Sequence, residues 1–286
     1  MILIIGATGK TGSSAVKHLV EKGCSVRALI RNPDKASALT DVGVDVVVGD
    51  VADSVALQKA MHGVNKVFLL LPNSSDQLEL EKQVVDAAVK VGVELFVKQS
   101  SQESVEGTDK PIPLNHLASE AYVKASGLNW VMIRPTFFTQ MLLTCAPGIK
   151  AANKLTFPMG QGQVAATDAR DVGEVVANVL TQSGHENKSY DLTGPELLTF
   201  SEIADIFTKL LGRQIDYVDQ PMEDFHALLS KFVPDKWRVN AVCEEIRSLA
   251  EGASNHTTDT MRDLLGREPR SVKQFIQEYA KAFNPE

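Results

Sequence analysis

Seven residues near the start of the chain, Gly6-Ala7-Thr8-Gly9-Lys10-Thr11-Gly12, constrain the fold more than any other stretch. They follow an apolar run, Ile2–Ile5, and lead into a helical pattern over residues 11–21 that sets Ala15, Val16, Leu19 and Val20 on one face. Glycine at the first position permits a tight turn. At the second it lets an anion approach the backbone, and at the third it lets helix and strand pack closely. A helix entered through such a turn aims its unpaired N–H groups and its positive dipole end at whatever the loop holds. Strand, glycine turn and helix in this order make a dinucleotide pyrophosphate the expected occupant. A nucleotide P-loop competes poorly, because it needs a glycine five residues before Gly9, where Ile4 stands inside the strand. A purely structural turn is the remaining reading.

The first half repeats this rhythm. Val26–Ile30 and residues 44–48, 67–71, 95–97 and 130–133 read as strands. Ser54 is placed to cap a helix carrying Val55, Leu57, Ala60 and Met61. A long helix after Pro72 turns Leu80, Val84, Ala87, Ala88 and Val91 inward, and residues 117–124 lie in another. Nearly unbroken apolar strands separated by helices mean a parallel sheet covered on both faces. After Pro135 loops marked by Pro147, Gly148, Pro158, Gly160 and Gly162 interrupt the pattern. Helical candidates follow over residues 168–180, Phe200–Leu211, and residues 225–232, 241–250 and 272–283. The expected fold is α/β: a Rossmann-type doubly wound parallel sheet with a smaller C-terminal α/β lobe. Residues 1–135 form the dinucleotide-binding domain, and residues 136–286 a substrate-side lobe interleaved with the sheet edge.

The second strand ends at Arg31-Asn32-Pro33, with Lys35 close behind. An acidic residue there would bind a ribose 2′-hydroxyl and choose NAD. Arg31 offers a planar cation for a 2′-phosphate, so NADP(H) is the expected cofactor, with Lys10 and Lys35 as weaker partners. A solvated surface arginine is the bland alternative.

Composition bounds the partners. A net charge of −7 over 286 residues gives no electrostatic footprint for nucleic acid or an anionic membrane. Cys24, Cys145 and Cys243 form no CxxC pair and no metal-ligand spacing, so no metal is expected and the thiols read as small core residues. No apolar run is long enough to span a bilayer, and residues 1–5 are far shorter than a signal segment. A cytoplasmic location is the expectation.

The assembled pattern resembles the NmrA-like branch of the atypical short-chain dehydrogenase/reductase superfamily, near its NADPH-dependent quinone and triphenylmethane-dye reductases. The glycine spacing and Arg31-Asn32-Pro33 carry most of the likeness. Gly49-Asp50 matches the family's adenine-side turn, and Leu70-Leu71-Pro72 its turn beside the nicotinamide ribose. Asp168-Ala169-Arg170-Asp171-Val172 and Leu264-Leu265-Gly266-Arg267-Glu268-Pro269 resemble later landmarks. The resemblance implies cofactor contacts from Gly6, Thr8, Gly9, Lys10, Thr11, Gly12, Arg31, Lys35, Asp50, Leu70, Leu71, Pro72, Ser100 and Thr136. Phe137 and Phe138 serve equally well as core or as cofactor wall, with core favoured for one of them.

The superfamily's usual Tyr-x-x-x-Lys pair is missing: Ile112 takes the tyrosine's place and His116 the lysine's. Alcohol–ketone chemistry therefore loses its acid. A quinone or conjugated dye still accepts hydride, because its reduced anion is delocalised and solvent can protonate it. His116, with an ordinary pKa of about 6.5, is the candidate catalytic residue to steady or protonate that anion. A structurally hydrogen-bonded histidine is the competing reading. The function expected is hydride transfer from NADPH to a quinone-like or dye-like small-molecule acceptor. The alternative is a non-catalytic NADP(H)-binding redox sensor acting through a protein partner. The sequence neither requires nor excludes a homodimer.

Overall fold

The computed structural model describes residues 1–284, which divide into two compact units. The first comprises residues 1–107, 113–134 and 169–191, and the second residues 108–112 and 135–168 and the described residues from 192 onward. A single cut after Pro135 is therefore too simple, because one helix and one strand of the later chain return to the first unit.

Along the chain, β1 (Ile2–Ile5) leads to α1 (Lys10–Glu21) and β2 (Val26–Ile30). After a 3-10 turn at Pro33–Lys35 come α2 (Ala36–Thr40), β3 (Asp45–Val48), α3 (Ser54–Met61), β4 (Lys66–Leu69) and α4 (Gln77–Val91). Then follow β5 (Leu95–Gln99), α5 (Pro111–Ala125) and β6 (Trp130–Pro135). A second 3-10 turn, Thr139–Cys145, precedes α6 (Ala146–Ala152), β7 (Lys154–Phe157) and β8 (Gln163–Val164). Next come α7 (Ala169–Thr181), β9 (Lys188–Leu192), β10 (Leu198–Thr199), α8 (Phe200–Leu211) and β11 (Asp216–Asp219). The chain ends in α9 (Met222–Ser230), α10 (Lys236–Ala250), α11 (Thr260–Leu265), α12 (Val272–Glu278) and α13 (Ala280–Phe283).

The first unit is built on a seven-stranded sheet of order β3-β2-β1-β4-β5-β6-β9. The five pairings from β3 to β6 are parallel, with Ile2 opposite both Val26 and Lys66. All four β1 residues are buried, as expected of a strand covered on both faces. One face packs Leu3, Ile5, Val67, Leu69, Phe96 and Met132 against Leu57, Met61, Val84 and Ala88 of α3 and α4. Chain order reverses at β1, with β2 on one side and β4 on the other, which sets a topological switch point at the carboxyl end of β1.

Two helices differ from the sequence expectation in an informative way. Asp53, not Ser54, caps α3, its carboxylate accepting from the N–H of Val55 at 2.9 Å and Ala56 at 3.2 Å, and Val55 is exposed. In α4 the buried face is Gln77, Glu81, Val84, Val85 and Ala88, while Val91 lies exposed. The face runs at helical spacing, but two polar residues occupy its first turns.

The second unit holds two short strand pairs, β10 antiparallel to β8 and β11 parallel to β7. Its core is aromatic: Phe157 stacks on Phe200 with centroids 4.9 Å apart, and Phe137 meets both edge-on. Thr199 and Glu202 close α8 with a reciprocal capping box, and Gly212 ends it at φ 67°.

Candidate functional site

The glycine turn is built as its sequence demands. Gly6 has φ 93°, and a Cβ there would stand 2.5 Å from the carbonyl oxygen of Leu70. A Cβ on Gly12 would overlap the Gly6 carbonyl at 2.1 Å. The loop thus folds on itself and against the end of β4, where Leu70 N–H donates to the Ile5 carbonyl at 3.1 Å. Gly9 is the N-cap of α1 and offers no side-chain cap, so the first-turn N–H groups are left for a ligand. Gly9 meets its surroundings loosely, its nearest clash being the Gly6 carbonyl at 3.3 Å. Thr8, Gly9 and Lys10 are exposed, and partial burial of the Lys10 ammonium lowers its pKa. Thr11 is buried, so its side chain is held in the fold while its backbone belongs to the cradle. An uncapped helix start in a turn whose close approaches are made by Gly6, Gly9 and Gly12 fits a pyrophosphate.

Arg31 and Asp50 meet across the ends of β2 and β3, where Gly49 N–H donates to the Ile30 carbonyl at 2.9 Å. Arg31 Nε lies 3.9 Å from Asp50 Oδ2, and the Arg31 side chain is 71% exposed. Asp50 Oδ1 also accepts from Ala52 N–H at 2.9 Å, which fixes the carboxylate. Lys35 ends the 3-10 turn and is exposed, capped indirectly by Asn32, which accepts from Asp34 N–H. Two expected adenine-side residues therefore stand together, with a guanidinium open to solvent.

Further along the strand ends, Leu71 is buried and Pro72 exposed, just past β4. Ser100 follows β5 and its N–H donates to the Ile133 carbonyl at 2.7 Å. Beside it the buried Glu120 carboxylate takes a two-pronged hydrogen bond from Arg134. Burial alone would raise the Glu120 pKa, but Arg134, Ser100 and Lys124 outweigh it and hold the carboxyl low. Gln99, the last residue of β5, is buried with its Oε1 unpartnered, a polar atom at the edge where ligands bind in open sheets.

His116 sits in a buried polar knot that the sequence reading missed. Lys98 Nζ donates to His116 Nδ1 at 2.9 Å and to the Gln99 carbonyl at 3.0 Å, and pairs with Glu81 Oε2 at 3.1 Å. Gln77 Nε2 donates to Glu81 Oε1 at 3.0 Å, and the Ser119 hydroxyl donates to Glu81. Lys98, Glu81, Gln77 and Ser119 are at most 1% exposed. Burial first, and the Lys98 charge second, push the His116 pKa well below its usual value. The expectation of a histidine that titrates near its ordinary value is therefore corrected: its surroundings disfavour the charged ring. Lys98 Nζ and, at 3.4 Å, Gln77 Nε2 both approach the same ring nitrogen, Nδ1. The sequence did carry a faint signal, a lysine directly after the apolar run 95–97 and a Gln77/Glu81 pair four residues apart.

In the second unit Thr136 is buried with its hydroxyl unpartnered, while its N–H donates to the Leu192 carbonyl at 3.3 Å. Phe137 belongs to the aromatic core and Phe138 is half-buried. Burial raises the Cys145 thiol to about 11 and shifts Cys243 upward, so both stay protonated and poorly nucleophilic. Among the described residues no cluster of His, Cys, Asp and Glu is arranged to hold a metal ion, and no helix is long and apolar enough to cross a membrane.

The chain is 32% identical to an NAD(P)H azoreductase of Xenophilus azovorans, over 99% of both chains. A crystal structure of an Escherichia coli NADPH-dependent quinone oxidoreductase complexed with NADPH superposes with a TM-score of 0.88 at 25% identity, covering 98% of this chain and 100% of that one. A Citrobacter sp. triphenylmethane reductase complexed with NADP(H) gives 0.85 at 26% identity, covering 97% of this chain and 99% of that one. The model of the NmrA-like family matches residues 1–276. On that match, and on relatives aligned over nearly its whole length, the chain belongs to the NmrA-like family.

Proposed function

We propose that this protein is an NADPH-dependent reductase that passes hydride to a planar conjugated acceptor of the quinone or dye type. The observation that carries the reading is the glycine cradle at the uncapped start of α1, with the exposed Arg31 guanidinium at the end of the neighbouring strand. Backbone N–H groups of the cradle bind the pyrophosphate, and Arg31, aided by Lys35, takes the 2′-phosphate. Asp50 serves the adenosine side, Leu70, Leu71 and Pro72 the nicotinamide ribose, and Ser100 the nicotinamide end. Bound there, NADPH supplies a hydride from C4 of its nicotinamide, and the reduced acceptor takes its proton from water.

The acceptor class follows from what the chain lacks. Ile112 is a buried aliphatic residue where the wider superfamily keeps its acid. His116 is neutral, so it offers an N–H hydrogen bond to a developing oxyanion and not an imidazolium proton. An acceptor whose anion is delocalised tolerates that arrangement. The named relatives are an azoreductase, a quinone oxidoreductase and a triphenylmethane reductase; a quinone takes hydride to give a delocalised anion and a cationic triphenylmethane dye to give a neutral product, so neither needs an acid from the protein.

The test is NADPH consumption against a panel of quinones, triphenylmethane dyes and azo dyes, with binding followed separately by calorimetry. Turnover well above the rate of NADPH alone is expected. A folded Gly9→Asp variant, with a carboxylate set against the phosphates, should lose both binding and turnover. NADPH binding without turnover on any acceptor would favour the sensor reading instead.

A further inference from the structure

The knot of β5, α4 and α5 side chains holds two opposite charges in a place where both are costly. A lysine and a glutamate that are each at most 1% exposed lose most of their hydration, and a hydrophobic pair of similar size would serve stability as well. Their presence calls for a further reason. Of the three acceptors around Lys98 Nζ, two are common in protein interiors: the Glu81 carboxylate at 3.1 Å and the Gln99 carbonyl at 3.0 Å. The third is the ring nitrogen of His116 at 2.9 Å, the shortest of the set.

We propose that Lys98 and Glu81 are positioning residues that lock His116 in the tautomer with its proton on Nε2, so that it meets the acceptor as a fixed neutral hydrogen-bond donor. The proposal rests on the reading that His116 serves the acceptor. Glu81 pairs with Lys98 Nζ at 3.1 Å and holds it against the ring. Glu81 is itself clamped, by Gln77 from its own helix and Ser119 from α5, so the chain of contacts is fully specified. Gln77 Nε2 also lies 3.4 Å from His116 Nδ1, a second donor against a proton on that atom.

The charged groups facing the imidazole are Lys98 from β5 and Glu81 from α4. Glu120, one turn along α5, is engaged with Arg134 and Lys124. A cation in contact with Nδ1 opposes a second proton on the ring, in line with the lowered His116 pKa. The consequence is an imidazole whose protonation state does not change across the working pH range. A neutral N–H donor strengthens as the acceptor gains negative charge, while leaving proton delivery to water.

The experiment is ring-nitrogen NMR of the full chain carrying labelled histidine, with the His116 signals identified by their loss in His116→Gln. In the unsubstituted protein Nε2 should show a protonated shift and Nδ1 a lone-pair shift, unchanged from pH 5 to pH 8. Lys98→Met leaves Glu81 buried without its cation, so His116 should take up a proton and titrate within that range. Its reductase rate should then acquire a matching pH dependence. Lys98→Met/Glu81→Gln removes both charges and guards against failure to fold: His116 should stay neutral but populate both tautomers. The proposal is overturned if His116 in the unsubstituted protein titrates near its ordinary pKa or carries its proton on Nδ1. It is equally overturned if both variants keep the single tautomer of the unsubstituted protein. The spectra require no turnover, so an inactive protein with the expected shifts would sink the reductase reading and leave only the lock of Lys98 and Glu81 on the tautomer standing.

Discussion

Arg31 gives up little when a ligand arrives. Its one acidic neighbour, Asp50, is 3.9 Å away and both side chains are well exposed, so that pair contributes about 0–1 kcal/mol. A charge-assisted contact to a 2′-phosphate is worth roughly 1.5–3 kcal/mol, which is a factor of about 10 to 150 in affinity. Arg31→Ala should therefore weaken NADPH binding by about that factor and NADH binding hardly at all, as read by calorimetry with both cofactors. Equal losses for the two would remove Arg31 from the role. Arg31 could be placed from the sequence because its position depends on local order alone, a strand end one βαβ step from a glycine turn. His116 was legible as a candidate but not in its chemistry. Lys98 is 18 residues away and Glu81 lies on another helix, and the environment they make is a property of the fold.

Elements were read best where hydrophobic period decided them, as in β1, α1 and α8. They were read worst where polar side chains took buried positions. In α4 the inward face begins with Gln77 and Glu81, so an apolar-only pattern was rotated toward Leu80 and Val91. The packing of α1 on α7 was not legible at all, since its key is the absence of a side chain. A Cβ on Gly173 would stand 2.5 Å from Ser14 Cβ and 2.6 Å from the Thr11 carbonyl, and Ser14 Oγ donates to the Arg170 carbonyl at 2.8 Å. In an ordinary helix interior Gly→Ala gains about 1 kcal/mol. Here the added methyl meets backbone and a buried serine, and such overpacking costs typically about 1–3 kcal/mol. Gly173→Ala should thus lower Tm by several degrees, whereas the same change at an open helical site would raise it. Because Thr11 opens α1, NADPH affinity should fall with it. A Tm equal to or above that of the unsubstituted protein would show that the two helices have room to spare.

At the scale of the whole molecule, the chain assigns its residues to the two units out of sequence order. The glycine turn, Arg31 and the His116 knot all lie in the first unit, and residues 1–135 carry every one of them. Sequence alone makes that stretch look self-sufficient. It is not, because α7 and β9 complete the unit from residues 169–191. β9 escaped notice for a physical reason: Lys188, Ser189, Tyr190 and Asp191 are exposed or half-buried, as befits a strand at the sheet edge, and show no apolar run. A fragment ending at Pro135 would leave the Thr11–Ser14 side of α1 without α7 and the β6 backbone without β9. Buried apolar surface and unpaired strand edge would both face water, which favours association. That fragment should aggregate or elute as large species and bind no NADPH. Joining residues 1–135 to residues 168–193 through a flexible glycine-serine linker should restore a monomeric, cooperatively unfolding species with measurable NADPH affinity. If the bare fragment is already monomeric and binds NADPH as well as the linked form, α7 and β9 are dispensable to the first unit, and the cofactor site is more local than the fold implies.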